Sequence, residues 1–187
     1  FTCSDVGVHA ILATVEDTSG NSATDVVTVT VVDNENPVVA AVASVELFLN
    51  ASGEATLDSS TATSSTSDNC GSVVTLNQTL FTCSDLSDPT ILLTATDPSS
   101  NTGTDTLVVT VTDSIAPTVV MASAFTVSLN GSGYYDLAVG TAVSSSADNC
   151  VVASTTLNAT QFTCSDVSTH VVEALVVDNS GNSVTDV

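Results

Sequence analysis

An all-β fold assembled from tandem copies of one small unit is what this sequence predicts, and three observations predict it. FTCSD occurs three times, beginning at Phe1, Phe81 and Phe162. Apolar and polar residues alternate with period two in several stretches, while no stretch carries a helical period of useful length. Clusters of Gly, Asn, Asp and Ser that signal turns recur roughly every 8 to 12 residues.

The repeat is regular enough to give boundaries. An offset of 80 places Phe1 on Phe81, Asp17 on Asp97 and Asp33 on Asp113, and an offset of 81 places Phe81 on Phe162. Residues 1–32 then read as the C-terminal part of one repeat, 33–112 as a complete repeat, and 113–187 as a repeat truncated at its last strand. Val187 aligns with Val26, inside a strand, so the chain is expected to be a window on a longer array.

Taken in order, VVTVTVV from Val26 puts Val27, Val29 and Val31 on one face and predicts a half-buried strand. VELFLN and ATL, joined by ASGE, predict a hairpin, as do FTVSLN and YYDLAV across GSG. SSTATSSTSDN has low complexity and is expected to be a loop. TILLTATD before DPSSN, and VVEALVVD before DNSGN, each supply the first strand of a closing hairpin. The second strand of the complete repeat, TDTLVVTVTD, sets Leu107, Val109 and Val111 against Thr106, Thr110 and Thr112. About seven short strands per unit make an immunoglobulin-like β-sandwich the expected architecture.

Composition narrows the function. The chain has 21 acidic residues, no Lys or Arg, and two His. Such a surface cannot grip a phosphate backbone, which excludes nucleic acid, and without lysine no lysine–asparagine isopeptide crosslink can form. No apolar run approaches the roughly 20 residues of a membrane helix, so this segment is not expected to insert in a membrane. A unit of this size has a modest core and gains from covalent support. Cys70 with Cys83, and Cys150 with Cys164, each bracket a short loop, and are expected to form disulfides of an oxidising compartment, with Cys3 pairing upstream.

The run of motifs from DNENP through LNASGEATL, SDNCG, TLFTCSD and TATDPSSN to a Val/Thr strand resembles the HYR-type immunoglobulin-like repeats. These occur in tandem in giant extracellular surface proteins, including adhesins and gliding adhesins of Bacteroidota. The resemblance spans essentially the whole chain, and the DNC and FTC pair is its most specific part. It implies spacer and adhesion modules at the cell surface, partnered by neighbouring repeats and open to lateral or end-to-end self-assembly into a filament.

Candidate sites are few. At the linkers, Asp33, Glu35 and Asp113 are candidate calcium ligands, because a junction that collects carboxylate oxygens suits that ion. The first linker is expected to bind better, since Ser114 and Ile115 stand at the corresponding places in the second. The competing reading is a plain turn ended by Pro37 or Pro117. Asp17, Asp97 and Asp178 head turns and read as Asx-type hydrogen-bonders rather than ligands. Sequons at Asn50, Asn77, Asn130 and Asn158 are candidate glycosylation sites, although a Ser/Thr-rich chain produces such triplets by chance. Asp105-Thr106-Leu107 and Asp113-Ser114-Ile115 resemble an O-glycosylation sequence.

His9 and His170 fall at equivalent places, but the complete repeat has Pro89 there, which argues against a catalytic triad or His-metal site. The expected function is therefore a non-enzymatic stalk or filament segment of an extracellular adhesin or surface appendage, protist and algal surface hairs included. A ligand- or carbohydrate-binding accessory module is the alternative. It calls for an aromatic platform, and the chain has no Trp and only Tyr134 and Tyr135 side by side.

Overall fold

The computed structural model describes residues 1–187. The fold is all-β. It opens with a 3-10 turn at Cys3–Asp5 and a hairpin of β1 (Gly7–Glu16) and β2 (Ser22–Val31). There follow β3 (Val38–Ala41), β4 (Val45–Phe48), β5 (Glu54–Thr56), the single helical turn α1 (Ser59–Ala62), β6 (Thr63–Ser67) and β7 (Val73–Leu76). Next come β8 (Leu80–Thr82), β9 (Thr90–Thr96) and β10 (Thr102–Thr112). The last copy contributes β11 (Thr118–Met121), β12 (Tyr134–Asp136), the helical turn α2 (Val139–Ala142), β13 (Val143–Ala147) and β14 (Val152–Leu157). It ends with β15 (Gln161–Thr163), β16 (Ala174–Asp178) and β17 (Ser183–Asp186).

The sequence repeat is also a repeat of pairings. β3 pairs with β6 as β11 pairs with β13, with register shifts at Ala40/Ala41 and at Val120/Met121. β5 pairs with β8 as β12 pairs with β15. β7, β9 and β10 correspond to β14, β16 and β17. All of these pairs are antiparallel. The shift at Ala41 releases a backbone N–H from the ladder, and the Asp105 carboxylate accepts it at 2.8 Å.

Two of the expected hairpins are corrected. The ASGE and GSG turns do form, with Asn50 N–H donating to Glu54 O and Asn130 N–H to Tyr134 O, both at 2.9 Å. Beyond the turn, however, the chain leaves its neighbour: β5 and β12 pair with the strands that lead into the second and third FTCSD. The low-complexity stretch is not a loop but contains α1 and β6, pinned by the buried Ala62 and by Thr63 Oγ1 donating to Ser59 O at 2.7 Å.

By contacts the chain forms two compact units: Phe1–Val45 with Leu57–Thr79 and Thr90–Val108, and Glu46–Thr56 with Leu80–Pro89 and Val109–Val187. The sequence divisions at 33 and 113 do not coincide with these units, because β10 serves both. Its N-terminal part pairs with β9, and near its end Leu49 N–H donates to Thr112 O. The first unit buries Leu57, Ile91, Leu93, Ala95 and Leu107, and the second buries Phe81, Val109, Val111, Leu137 and Val176. Each large side chain among them contributes about 1.5–3 kcal/mol on removal from water. The β1–β2 hairpin differs. Its ladder is complete, yet Ile11, Val15 and Val27, at the places of Ile91, Ala95 and Leu107, are exposed rather than half-buried.

Candidate functional site: disulfide staples and carboxylate triads

FTCSD recurs because it builds a rigid corner. In each copy the three residues CSD form a 3-10 turn with the preceding Thr as N-cap and the Asp closing a capping box. Thr2, Thr82 and Thr163 N–H donate to Asp5, Asp85 and Asp166 Oδ2 at 2.7, 2.8 and 2.8 Å. The Thr backbone N–H, then its hydroxyl, holds the Asp5 and Asp166 carboxyls below their ordinary range. The corner leaves a cysteine at a fixed position with a set direction.

That cysteine does not reach back to the nearer one. Cys3 is bonded to Cys70 and Cys83 to Cys150, each across 67 residues, with Cα–Cα distances of 5.3 and 5.5 Å. The expected Cys70–Cys83 and Cys150–Cys164 loops are therefore corrected, as is the upstream partner for Cys3. Cys70 and Cys83 fall in different compact units, so their nearness in sequence is no guide to pairing. Each bond runs from the FTC of one repeat to the DNC of the next. Cys164, the third FTC cysteine, is free and exposed. Closing a loop of 67 residues restricts the unfolded chain by about 4 kcal/mol in the chain-entropy model. Gly53 makes room for the second staple: at φ +73°, a Cβ there would lie 2.7 Å from Asn149 O and 2.8 Å from Cys83 Sγ.

The DNC half of the staple carries an acidic centre beside it. Asp33, Asp68 and Asp97 bring carboxylate oxygens within 4.8 Å of one another, and Asp113, Asp148 and Asp178 do the same in the next copy. Three backbone segments converge at each: the start of the linker, the DNC turn, and the turn between the closing strands. Asn69 Nδ2 donates to Asp33 Oδ1, and Asn149 Nδ2 to Asp113 Oδ1, both at 3.1 Å. Asp68 Oδ2 accepts Cys70 N–H at 2.8 Å, and Asp148 Oδ2 accepts Cys150 N–H at 2.9 Å. Asn101 Nδ2 bridges Asp97 Oδ2 and the Asp33 carbonyl, as Asn182 Nδ2 bridges Asp178 Oδ2 and the Asp113 carbonyl.

Of the candidate ligands, Asp33 and Asp113 lie in these triads and Glu35 does not. Glu35 gives only its backbone N–H to Asp33 Oδ1, at 3.2 Å, and Ile115 does the same for Asp113 at 3.1 Å. The Glu-to-Ile difference between linkers therefore leaves the two triads alike in composition. Asp97 and Asp178 are the expected Asx-type hydrogen-bonders, their Oδ1 accepting Asn101 N–H at 2.7 Å and Asn182 N–H at 2.8 Å, and they also sit in the triads, while Asp17 outside them accepts Ser19 and Asn21 N–H at 2.9 Å. Asp68 and Asp148 are the members that inspection of the sequence passes over. Their signal is recurrence at the same offset of 80 as the adjacent cysteines.

The remaining candidates have structural duties. Asn50, Asn77, Asn130 and Asn158 are exposed, and their Oδ1 atoms accept backbone N–H groups of Ser52, Leu92, Ser132 and Glu173. His170 Nε2 meets the Asp166 carbonyl at 2.7 Å and its ring lies 5.6 Å from that of Phe162; His9 contacts the Asp5 carbonyl and Phe1 in the same way. No protein-family model matches the chain, and no curated protein matches it.

Proposed function

We propose that the chain is a load-bearing stalk segment of an extracellular surface protein, made of immunoglobulin-like repeats of the HYR type that are linked by disulfides from copy to copy. The observation that carries this reading is the staple: an FTC cysteine bonded to the next DNC cysteine, twice, at the same separation of 67 residues. Disulfides in that number suit an oxidising compartment. Cys164 stands where Cys3 and Cys83 stand, and in this reading it is half of a third staple to another copy. The partners are neighbouring repeats, in the same chain or in an assembled filament. Tyr134 and Tyr135 follow one another on β12, so they face opposite sides and make no flat platform for a sugar.

A stalk of this kind carries tension through sulfur, bypassing the residues inside each loop. Single-molecule pulling of the chain under oxidising conditions and after reduction tests it. Each opened staple should release about 220–240 Å of extra contour length, from the reach of its 67 residues. Equal extension with and without reductant, or tight binding of the chain to a panel of soluble glycans, would count against the stalk.

A further inference from the structure

We propose that the two carboxylate triads, Asp33 with Asp68 and Asp97, and Asp113 with Asp148 and Asp178, are divalent-cation sites that take calcium. Clustered acids alone are not a site, since backbone donors can satisfy them. Here they do not. Asp33 is only 9% exposed, and its Oδ2 is buried with no hydrogen-bond partner, while Oδ1 takes the bonds from Glu35 and Asn69. Asp68 is divided in the same way, Oδ2 receiving Cys70 N–H and Oδ1 buried without a partner. Asp148 Oδ1 repeats this in the second triad, beside Asp113 and Asp178, which are 5% and 3% exposed.

A buried acceptor left unsatisfied is costly, more so when it is charged. The usual remedy is a cationic side chain, and the chain has no Lys or Arg to offer. A bound cation supplies what the protein lacks. The donor set selects the ion. Three carboxylates with no His or Cys among them disfavour zinc and copper. Calcium accepts irregular oxygen shells and completes them with water, whereas magnesium demands near-octahedral geometry. Asp68, a member of the first triad, also lines a cleft with Glu35, Asn36, Val38, Ser67 and Asn69. Since each triad joins the linker start, the DNC turn and the closing turn, occupancy ties three distant segments beside the staple. The inference rests on these atoms and not on the stalk reading.

The test is calorimetric titration of calcium chloride into the chelator-stripped full chain, with sodium chloride holding ionic strength constant. Two sites per chain are expected, half-saturated at about 0.1–1 mM, the range of extracellular calcium modules. Asp68→Asn keeps an acceptor for Cys70 N–H but removes the charge, and should abolish one of the two. Asp68→Asn with Asp148→Asn should abolish both, together with the rise in Tm that calcium gives, while circular dichroism and intact disulfides report the fold. No heat above the sodium chloride control, or unchanged binding by the double variant, overturns the proposal. So does an equal Tm rise with magnesium, which would reject calcium as the ion.

Discussion

The side-chain amide of Asn69 donates to Asp33 Oδ1 at 3.1 Å, and 80 residues on Asn149 holds Asp113 at the same distance. The asparagine before Cys70 and before Cys150 thus anchors the linker that begins its repeat. Asn69→Ala removes a hydrogen bond to a charged group and should cost about 1.5–3 kcal/mol. Urea unfolding of the oxidised protein measures it. A loss no larger than that of a surface Asn→Ala change would show that the anchor is dispensable.

The staples predict which thiols react. Without reductant, a maleimide should label Cys164 and leave Cys3, Cys70, Cys83 and Cys150 untouched. Digestion must use a protease directed to acidic residues, since trypsin has no site. No acidic residue lies between Cys70 and Cys83 or between Cys150 and Cys164. Without reductant, the peptide of Cys3, the peptide carrying Cys70 and Cys83, and the peptide carrying Cys150 and Cys164 should therefore stay together as one disulfide-linked species. Release of the Cys70/Cys83 peptide by itself, with an internal disulfide, would refute the pairing.

Gly103 lies where the strand after the DPSSN turn passes the linker, and a Cβ built on it would fall 1.9 Å from the Pro37 carbonyl oxygen. Backbone rather than a pliable side chain must yield. Gly103→Ala should therefore destabilise the protein by about 1–3 kcal/mol, the usual range for overpacking. Thermal unfolding decides, with Gly140→Ala as the control, because nothing lies within 4 Å of that position.

The Asp105 carboxyl is held below its ordinary value first by Ala41 N–H and then by Thr106 N–H. A depressed folded pKa contributes stability that is present above the unfolded value and lost as pH falls through the folded one. Asp105→Asn keeps an acceptor but cannot titrate. It should cost more at about pH 6 than in acid below the folded pKa, where both proteins carry a neutral group. Comparing the two proteins cancels the general relief of negative self-repulsion that acid brings. A cost independent of pH would assign Asp105 a purely steric role.

Strand positions were legible where the sequence offers contrast. Leu107, Val109 and Val111 alternate with threonines, and they are the buried face of β10. The Asp97 and Asp178 turns were equally plain, being local Asx geometry. β6 and α1 were not, because in SSTATSSTS the two faces differ only among small polar residues, and the single buried anchor is Ala62. Partner choice was hidden for another reason. Whether β5 pairs with β4 or β8, and whether Cys70 bonds to Cys83 or Cys3, depends on long-range contacts that no local spacing encodes. The acidic centre was half visible: Asp33 and Asp113 stand out at the linkers, but Asp68 and Asp148 look like ordinary turn residues until the chain brings them together.

The wiring of the staples also sets how the molecule survives damage. A protease that cuts once between Cys3 and Cys70, or once between Cys83 and Cys150, leaves both fragments on one covalent object. Between the staples, only the connector from Cys70 to Cys83 has no sulfur detour around it, so a single cleavage severs the molecule there and not in either loop. Limited digestion followed by electrophoresis should then show more fragments under reducing conditions than without reductant, since cuts inside either loop are silent until the staple is reduced. What erodes the chain in its surroundings is thus not the first nick but the rare one that finds a connector.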